Sequence, residues 1–593
     1  MEKIVLIEPK TRKGHVYRTT QMPRLGLPLL GTQLKEAGYH VNIYVAGSDA
    51  LPWKKILQAD LVGISTTTST SREAYKIAGY LRSQNIPVVM GGIHATFMPE
   101  EALQYADYIV RGEADHTFLE LVRTLEEGAY PEDIPGVSYW RDGRAIHNPP
   151  RQGWVDLEEL PITDLTLLNC YKKIRAIPVM TSRGCPFNCI FCSVTPMFGR
   201  RYRCRSNEQV LQELSFYKGR HVFFCDDNFT ADLKRTKEIL KKMLEQKINL
   251  KGWGAQVRVE AAKDEELLEL MRLTRGNIVY IGFESINPST LESFNKKQSI
   301  EDIQECIRKF HEYGIRIHGM FIFGSDEDTI QTFRDTVDFA IKMRIDTVQF
   351  MILTPLPGTP LFKKLESEGR LLTKDWELYD GHHVVFQPAK MSAWQLQKET
   401  VKAYMRFYSL KHLFQNLPLT GWGSALYRGV GWYLVKSFRK ENYRYSYILE
   451  QLQNSSYKAQ NVPLLYRRIQ VLNWKHLEEK TAGNTSSLLK IYLSENNGIF
   501  YLRLKGLLNK FTLKELNRTL KSLLPQRCYQ LVVNAEGLYF SEKSIKSFSL
   551  FLERLCKRVN RMQLIYSPEA GAFSHFKKLL FKIPRFELLT NRH

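Results

Sequence analysis

The stretch that decides the fold is "SRGCPFNCIFCSV", Ser182–Val194. It places Cys185, Cys189 and Cys192 in a CxxxCxxC spacing, although the whole chain of 593 residues has only nine cysteines. Nine cysteines, unevenly placed, do not make a disulfide framework, which indicates a reducing compartment. In such a compartment, three thiols on one short loop predict a metal-binding or catalytic site.

This loop directly follows the first of six strand-like runs between residues 177 and 400. The runs are "IPVMTS", "HVFFC", "KGWGAQVRVE", "IVYIGFES", "RIHGMFIFG" and "TVQFMIL", with helical patterns such as Asp232–Gln246 between them. Six strand–helix units cannot close an eight-stranded barrel, but they can form an open, partial (β/α)6 barrel of the TIM type. The cysteine loop then lies at the carboxyl-terminal rim, where barrels carry their active sites.

The number of cysteines bears on the metal. A zinc site usually takes four ligands from two CxxC pairs, and the other six cysteines form no second pair. Three thiolates on one loop suit a 4Fe–4S cluster, in which each thiolate binds one iron and the fourth iron stays open. An open iron at a barrel rim predicts chemistry rather than a structural role, with zinc as the alternative.

CxxxCxxC after the first strand of a partial barrel resembles the radical S-adenosylmethionine (SAM) superfamily. The resemblance implies that the open iron chelates SAM, which is cleaved to a 5′-deoxyadenosyl radical. It also implies SAM contacts at Phe191, Asp226, Asp227, Arg258, Glu284, Gly324 and Pro357. Two alternatives are structural: helix capping for the Asp226–Phe229 motif, although Asp232 can take that role, and a surface ion pair for Arg258. No further catalytic residue is predicted.

Residues 1–130 predict a doubly wound, Rossmann-like parallel sheet, because buried apolar strands alternate with amphipathic helices. The strands expected are Lys3–Glu8, His40–Val45, Asp60–Ser65, Pro87–Gly92 and Asp107–Glu113. Ligands bind such sheets at the carboxyl ends of the strands, where "STTTST" and "GGIHAT" supply small residues. The absence of a GxGxxG motif disfavours a dinucleotide.

The motifs "GGIHATFMPEEAL" and "ADYIVRGEADHTFLELV" resemble the cobalamin-binding class of radical SAM enzymes. The resemblance covers about residues 1–400. It departs from other cobalamin proteins because no DxHxxG motif supplies a lower histidine. It implies that Leu25, Gly26 and Leu27 approach the lower face of cobalamin. Further contacts are expected at Ser65, Thr66, Thr67, Gly91, Gly92, His94 and Glu113. A satisfied loop histidine is the alternative for His94.

This class implies methylation of an unactivated carbon, or oxidative ring closure as in anaerobic porphyrin-ring cyclases. We expect a small-molecule, hydrophobic or lipid-like substrate and a low-potential electron donor such as flavodoxin or ferredoxin. Two other functions are weighed. A methylthiotransferase generally needs a second cluster with three N-terminal cysteines, and residues 1–169 contain no cysteine. A cobalamin or redox sensor would bind the cofactors without cleaving SAM.

The last third of the chain differs in charge. Residues 401–593 hold 32 Lys+Arg and 11 Asp+Glu, whereas residues 1–400 hold 52 and 51. Residues 131–176 read as a linker by composition, and 401–480 as a helical, basic and aromatic segment. Aromatic residues mixed with cations over 400–460 predict peripheral contact with an anionic membrane. The alternative is a helical lid on the barrel.

Residues 490–593 are expected to form a small α/β domain, since "GIFYLRLKGLLNKFTLKELNRTL" and "CYQLVVNAEGLYFSEKSIKSF" resemble a STAS-like domain. That resemblance implies a protein partner. The usual Asp-Ser-x-Gly turn reads "FSEKSI" here, which disfavours a phosphorylation switch and leaves Ser541 and Ser544 as candidates only. Without a signal peptide or an apolar run of 18 residues, we expect a cytoplasmic protein at the inner membrane face. No nucleic-acid partner is expected.

Overall fold

The computed structural model describes residues 1–11, 22–409, 429–439, 445–446 and 449–450, and then five strands and a few single residues between 489 and 590. The chain divides into two compact units, Met1–Ser456 and Tyr457–His593. Most of the predicted basic segment, and both Ser541 and Ser544, lie outside the described residues. Within the described ranges, every helix is too short or too polar to cross a membrane.

The first domain is built on a seven-stranded sheet. Its strands are β1 (Lys3–Glu8), β2 (His40–Val45), β3 (Leu61–Ser65), β4 (Val88–Gly91), β5 (Tyr108–Val110), β6 (Val137–Arg141) and β7 (Arg144–His147). Its helices are α1 (Gly26–Glu36), α2 (Trp53–Ile56), α3 (Ser71–Ser83), α4 (Ile93–Phe97), α5 (Pro99–Ala102) and α6 (Thr117–Glu126). The strand order is β2-β1-β3-β4-β5-β6-β7, and the first five strands are parallel.

The parallel strands are buried on both faces, as their continuous apolar runs predict. In β1, the four residues Ile4 to Ile7 are all buried. The segment expected to be a linker contributes two strands to this sheet. There, β6 pairs antiparallel with β5 and β7 pairs antiparallel with β6, so both extend the first sheet.

A second sheet of six parallel strands follows. Its strands are β8 (Ala176–Val179), β11 (His221–Phe224), β12 (Gly252–Val257), β13 (Gly276–Glu284), β14 (Arg316–Phe323) and β15 (Thr347–Ile352). The order β15-β14-β13-β12-β11-β8 leaves β8 and β15 as the two edges. This is the open (β/α)6 arrangement expected from six strand–helix units. A small hairpin of β9 (Ser182–Arg183) and β10 (Arg203–Cys204) lies between the first two strands in the chain.

Helices surround this sheet. They are α7 (Val194–Phe198), α8 (Asn207–Ser215), α9 (Leu233–Glu245), α10 (Glu265–Leu273), α11 (Pro288–Ser293), α12 (Ile300–Glu312), α13 (Ile330–Lys342), α14 (Pro360–Ser367) and α15 (Ala393–Phe407). The Asp232 carboxylate accepts the Arg235 backbone N–H at 3.0 Å and thereby caps α9. The alternative of helix capping therefore does not apply to Asp226 and Asp227.

The second unit contains a five-stranded sheet. Its strands are β16 (Leu489–Asn496), β17 (Ile499–Leu508), β18 (Cys528–Phe540), β19 (Val559–Tyr566) and β20 (Phe586–Thr590), in that order across the sheet. β16 and β17 are antiparallel, and the other neighbours are parallel. The described residues thus contain a sheet for the expected small α/β domain, and its STAS-like identity stays a prediction.

Candidate active site

The cysteine loop leaves the barrel through the β9–β10 hairpin, in which Arg183 lies opposite Arg203. The loop begins at Gly184, with φ +89°. A Cβ at this position would collide with the carbonyl oxygen of Arg201. Only glycine meets both requirements, so the glycine before Cys185 is needed for the chain to enter the loop.

Three contacts with neighbouring elements hold the loop. The Leu361 N–H donates to the carbonyl of Ile190 at 3.1 Å. The Asn295 side chain donates to the carbonyl of Asn188 at 3.0 Å. The Phe191 ring packs edge-on against Phe294, with ring centres 5.0 Å apart. These contacts come from residues that follow β13 and β15, so the far side of the barrel helps to position the cysteines.

The three thiols are half-buried, and burial raises the pKa of each one because it disfavours the thiolate. The pKa of Cys192 rises to about 12. The Lys296 ammonium acts in the opposite direction on Cys189, and the Arg258 guanidinium does so on Cys185 and Cys189. A metal that binds these sulfurs must therefore displace protons, and nearby cations favour the thiolates it needs.

The donor set fits an iron–sulfur cluster better than zinc. Three sulfur donors share a loop whose intervening side chains include two phenylalanines, which form an apolar surround. In the described part of the chain, no three His, Cys, Asp or Glu side chains lie close enough together to bind a metal ion as placed.

Asp226 and Asp227, which follow β11, differ in role. Asp226 is buried and accepts from the Thr181 backbone N–H, the Thr181 hydroxyl and the Ser182 hydroxyl. It thus fixes the chain just before the cysteine loop. Asp227 lies close enough to Cys185 and Cys192 to raise the pKa of both thiols. Burial, and then the charge of Asp226, raises the pKa of Asp227 to about 6.

Arg258 and Glu284 end adjacent strands and each has a charged partner. The Arg258 guanidinium lies 3.7 Å from the centre of the Phe187 ring and pairs with Glu260 at 3.0 Å. Glu284 has φ +61° at an irregular step of the β13–β14 register. Its carboxylate accepts from the Lys296 ammonium at 2.8 Å, and both side chains are less than a tenth exposed. Two cations therefore face the cysteine loop.

Gly324 and Pro357 lie on turns after β14 and β15. Gly324 has φ +108°, and its N–H donates to Asp328 at 2.9 Å. Burial raises the pKa of Asp328 to about 6, against the effect of its hydrogen bonds. Pro357 precedes Gly358, where a Cβ would lie 2.5 Å from the ring of Phe97. This second turn therefore packs against the first domain.

A cavity of about 410 Å³ lies where the carboxyl ends of the two parallel sheets meet. The first domain contributes the ends of β1, β3, β4 and β5, and the barrel contributes residues that follow β8 and β11. Seven of the ten residues expected to contact cobalamin line it, namely Leu25, Gly26, Leu27, Ser65, Gly91, Gly92 and Glu113. Thr66, Thr67 and His94 do not. Asp227 is the member of the predicted SAM set that lines it.

The glycine pair beside the cavity suits a large ligand. Gly92 has φ +91°, and a Cβ there would lie 2.5 Å from the carbonyl oxygen of Thr66. Glycine is required at this position for both conformation and space. At Gly91 a Cβ would meet only ordinary contacts, the nearest at 3.5 Å from the carbonyl oxygen of Val110. The backbone therefore carries no side chains at these two positions on the edge of the sheet, which leaves room for a corrin ring to approach closely.

His94 lies in a buried cluster away from the cavity lining. Its Nε2 is 3.1 Å from the Tyr75 hydroxyl and 3.8 Å from the Glu101 carboxylate. Trp376 donates its indole N–H to the same carboxylate at 2.7 Å. Among the described residues, Nδ1 of His94 has no hydrogen-bond partner. The placement favours a histidine that joins the first domain to the segment after the barrel.

Sequence reasoning missed several residues around the site. Lys296 lies in "NKKQ", a pattern that reads as an ordinary solvated loop. Arg183 and Arg203 flank the cysteine loop and bind carboxylates of the first domain, with Arg183–Glu113 and Arg203–Glu113 each 2.7 Å. The position of Arg183 directly before "GCPFNCIFC" was the available signal, but the distant partner, Glu113, could not be inferred from local sequence.

Comparison with known proteins agrees with this architecture. The family described as the radical SAM superfamily matches residues 179–340, and the B12-binding domain matches residues 16–122. An uncharacterized methyltransferase of Pyrococcus horikoshii is 35% identical over 427 residues, which cover 68% of this chain and 92% of that protein. The chain therefore belongs to the radical SAM superfamily, and within it to the enzymes that carry a B12-binding domain.

Other relatives have named reactions. Bacteriochlorophyllide d C-12(1)-methyltransferase of Chlorobaculum tepidum is 28% identical and covers 61% of this chain and 78% of its own length. Anaerobic magnesium-protoporphyrin IX monomethyl ester cyclase of Cereibacter sphaeroides is also 28% identical, with 71% and 72% covered. These similarities support the radical SAM methyltransferase or cyclase interpretation over methylthiotransferase or sensor functions.

The fold has solved counterparts. The radical SAM methyltransferase TsrM from Kitasatospora setae, with cobalamin and a [4Fe–4S] cluster bound, superposes with a TM-score of 0.58 at 18% identity. That comparison covers 74% of this chain and all of TsrM. Its radical SAM and B12-binding domains make the protein an enzyme whose cofactors are a 4Fe–4S cluster, SAM and cobalamin.

Proposed function

We propose that the protein methylates an unactivated carbon of a hydrophobic or lipid-like small molecule. The observation that carries the proposal is the cavity shared by the two sheets, which extends from Gly91 and Gly92 to Asp227 beside the cysteine loop. A methyl carrier and a radical source can act on one carbon only if both reach the same space. When bound, the cluster and SAM supply a carbon-centred radical, and cobalamin carries the methyl group.

The proposed roles of the residues follow from their surroundings. Cys185, Cys189 and Cys192 would bind the cluster, with Phe187 and Phe191 limiting access of water. Asp227, with a pKa of about 6, would accept hydrogen bonds from the SAM ammonium group. Of the other SAM candidates, Glu284 would accept from ribose hydroxyls.

Arg258 would pair with the SAM carboxylate. Gly324 and Pro357 would shape the adenine pocket through their turns. Asp226 acts on the chain rather than on SAM, because its oxygens are taken by Thr181 and Ser182.

The cobalamin contacts are proposed on the same basis. The seven cavity-lining residues named above would surround the corrin ring. Thr66 supports this edge from behind, since its hydroxyl donates to the Gly91 carbonyl at 2.9 Å. Thr67 and His94 are proposed to support the edge indirectly.

Anaerobic reconstitution with iron, sulfide and hydroxocobalamin tests this function. The protein is supplied with SAM labelled in the methyl group, a low-potential reductant such as flavodoxin or ferredoxin, and a lipid-rich cell extract. We expect 5′-deoxyadenosine and a labelled, organic-soluble product. Formation of 5′-deoxyadenosine with a product two hydrogens lighter and unlabelled would assign ring closure instead. Failure to cleave SAM would refute the enzyme function.

Two properties of the last third are also proposed. The helix over 429–439 exposes Val430 and Tyr433, and its Lys436 ammonium lies 5.0 Å from the centre of the Trp432 ring. Such a mixture suits the interface of an anionic bilayer, so we propose a cytoplasmic enzyme in peripheral contact with the membrane. Co-sedimentation with phosphatidylglycerol vesicles should be strong at low salt and weak at high salt; absence of binding at low salt would refute the idea. We also propose that the STAS-like unit binds a protein partner.

A further inference from the structure

Glu113 both lines the cavity and binds the two arginines that flank the cysteine loop. Its side chain follows β5 and lines the cavity. The same carboxylate accepts from Arg183 at 2.7 Å and from both terminal nitrogens of Arg203, at 2.7 and 3.0 Å. One residue of the first domain therefore binds two residues of the barrel.

The two arginines stand at the two ends of the cysteine loop. Arg183 ends β9, two residues before Cys185, and Arg203 begins β10 on the return of the chain. They face each other in the hairpin register. Any shift of the Glu113 carboxylate consequently acts on the entry and the exit of the loop together.

The charges of this group balance and are nearly removed from solvent. Asp115 pairs with Arg183 at 2.8 Å, which gives two carboxylates for two guanidinium groups. The exposed fractions are 7% for each acid, 12% for Arg183 and 14% for Arg203. Buried, forked ion pairs of this kind have strict geometry, and loss of one partner leaves an uncompensated charge.

We propose that Glu113 is a positioning residue that couples cobalamin binding in the cavity to cluster binding by the cysteine loop. This inference rests on the proposed function. Cobalamin that contacts the cavity wall would fix the Glu113 carboxylate, and the two arginines would transmit this constraint to both ends of the loop. Because binding coupling is reciprocal, a bound cluster must favour cobalamin to the same degree.

The test measures cobalamin affinity rather than turnover. Full-length protein is prepared anaerobically with and without its cluster, and hydroxocobalamin binding is followed by absorbance and equilibrium dialysis. We expect the cluster to tighten cobalamin binding about fivefold or more in the wild type. The measured ratio is the cobalamin dissociation constant without the cluster divided by that with the cluster. In Glu113→Gln, which keeps the shape of the side chain but loses its charge, this ratio should fall to about one.

The matched control is Glu120→Gln. Glu120 also pairs with an arginine, Arg151, but on the exposed side of α6 and away from the cavity lining. This variant should keep the wild-type ratio. A ratio of one in the wild type, or an unchanged ratio in Glu113→Gln, would overturn the coupling. Absence of cobalamin binding with or without the cluster would instead refute the proposed function itself.

A second variant covers the case in which Glu113→Gln does not fold. Arg203→Lys keeps the positive charge but can hold only one carboxylate oxygen at a time. Its ratio should fall to about twofold, and addition of cobalamin should perturb the electron paramagnetic resonance signal of the reduced cluster less than in the wild type. A wild-type ratio together with a wild-type spectral response would overturn the proposal.

Discussion

The two parallel sheets of the first unit meet one cavity with opposite chemistry. The first domain presents bare backbone and small side chains, with Gly91, Gly92 and Ser65 at its strand ends. The barrel presents charged side chains such as Arg183 and Asp227. Outside the cavity lining, Lys296 and Arg258 lie close to Cys189 of the cysteine loop. The edge of the first domain suits a large ligand that is bound through complementary shape. The edge of the barrel suits a metal and a charged ligand, which are bound through donor atoms and charges. Similar strand topology thus supports two kinds of binding, because the strand-end loops, not the strands, set the chemistry.

The largest effect is expected when a cluster ligand is removed from the barrel side of the site. Cys189→Ala should leave two thiols, too few to hold the cluster, so SAM cleavage should fall at least about a thousandfold. Iron and sulfide analysis together with 5′-deoxyadenosine assays measure both losses. Cys306→Ala is the control, because Cys306 is buried in α12. Full iron content in Cys189→Ala would contradict the ligand assignment.

Gly92→Ala changes the first domain sterically, without changing its charge. The new Cβ would meet the Thr66 carbonyl at a positive φ, so we expect a loss of about 2–4 kcal/mol in unfolding free energy. Cobalamin binding should weaken in parallel. Gly79→Ala, in α3 with no atom within 4 Å of the added Cβ, should instead gain about 0.5–1 kcal/mol. Equal stabilities of the two variants in chemical denaturation would disprove the steric argument.

Asp328 allows a pH test of the barrel edge. Its pKa is raised to about 6 in the folded chain, so the group stabilises the fold below its unfolded pKa. That contribution is lost as pH rises through about 6. From about pH 4 to about pH 7, the wild type should lose up to about 3 kcal/mol relative to Asp328→Asn. Denaturation across this range measures the difference. The exposed Asp142→Asn serves as control and should follow the wild type; parallel curves for Asp328→Asn would contradict the assignment.

The smallest expected effect concerns the cation above the cysteine loop. Phe187→Leu removes the ring that lies under Arg258 and should cost about 1 kcal/mol of loop stability. The rate of iron loss to a chelator should then rise about fivefold. Phe216→Leu, at an exposed position in the barrel, should leave that rate unchanged. A wild-type rate in Phe187→Leu would show that the contact does not hold the loop.

Local patterns were sufficient for most of the fold. Continuous apolar runs predicted strands such as Lys3–Glu8, which the structure reproduces with the same bounds. That a strand is buried on both faces can be predicted without long-range information, because its own sequence is a continuous apolar run. The strands β6 and β7 are different. They are short and partly exposed, and only the pairing of β6 with β5 and of β7 with β6 makes them part of the sheet.

Within the site, the structure brings together residues that were predicted from one loop or one sheet edge, whereas partners that are distant in sequence were not predicted. Seven of the ten cobalamin candidates line the cavity, and four of them lie at or just after strand ends of one sheet, which gather at one edge. His94 follows the same edge in sequence, yet α4 carries its side chain toward Tyr75 and Glu101. Side-chain direction depends on the helix that begins after Gly92, which a motif does not specify.

The sequence by itself determined that this chain joins a doubly wound domain to a partial barrel with three thiols at its rim. Periodicity and cysteine spacing are local properties of the sequence, so they can be recognised without a structure. Only the tertiary structure decided that Glu113 binds Arg183 and Arg203, and that Lys296 lies beside Cys189. Such pairs join residues many positions apart, and their geometry exists only once packing has brought the elements together.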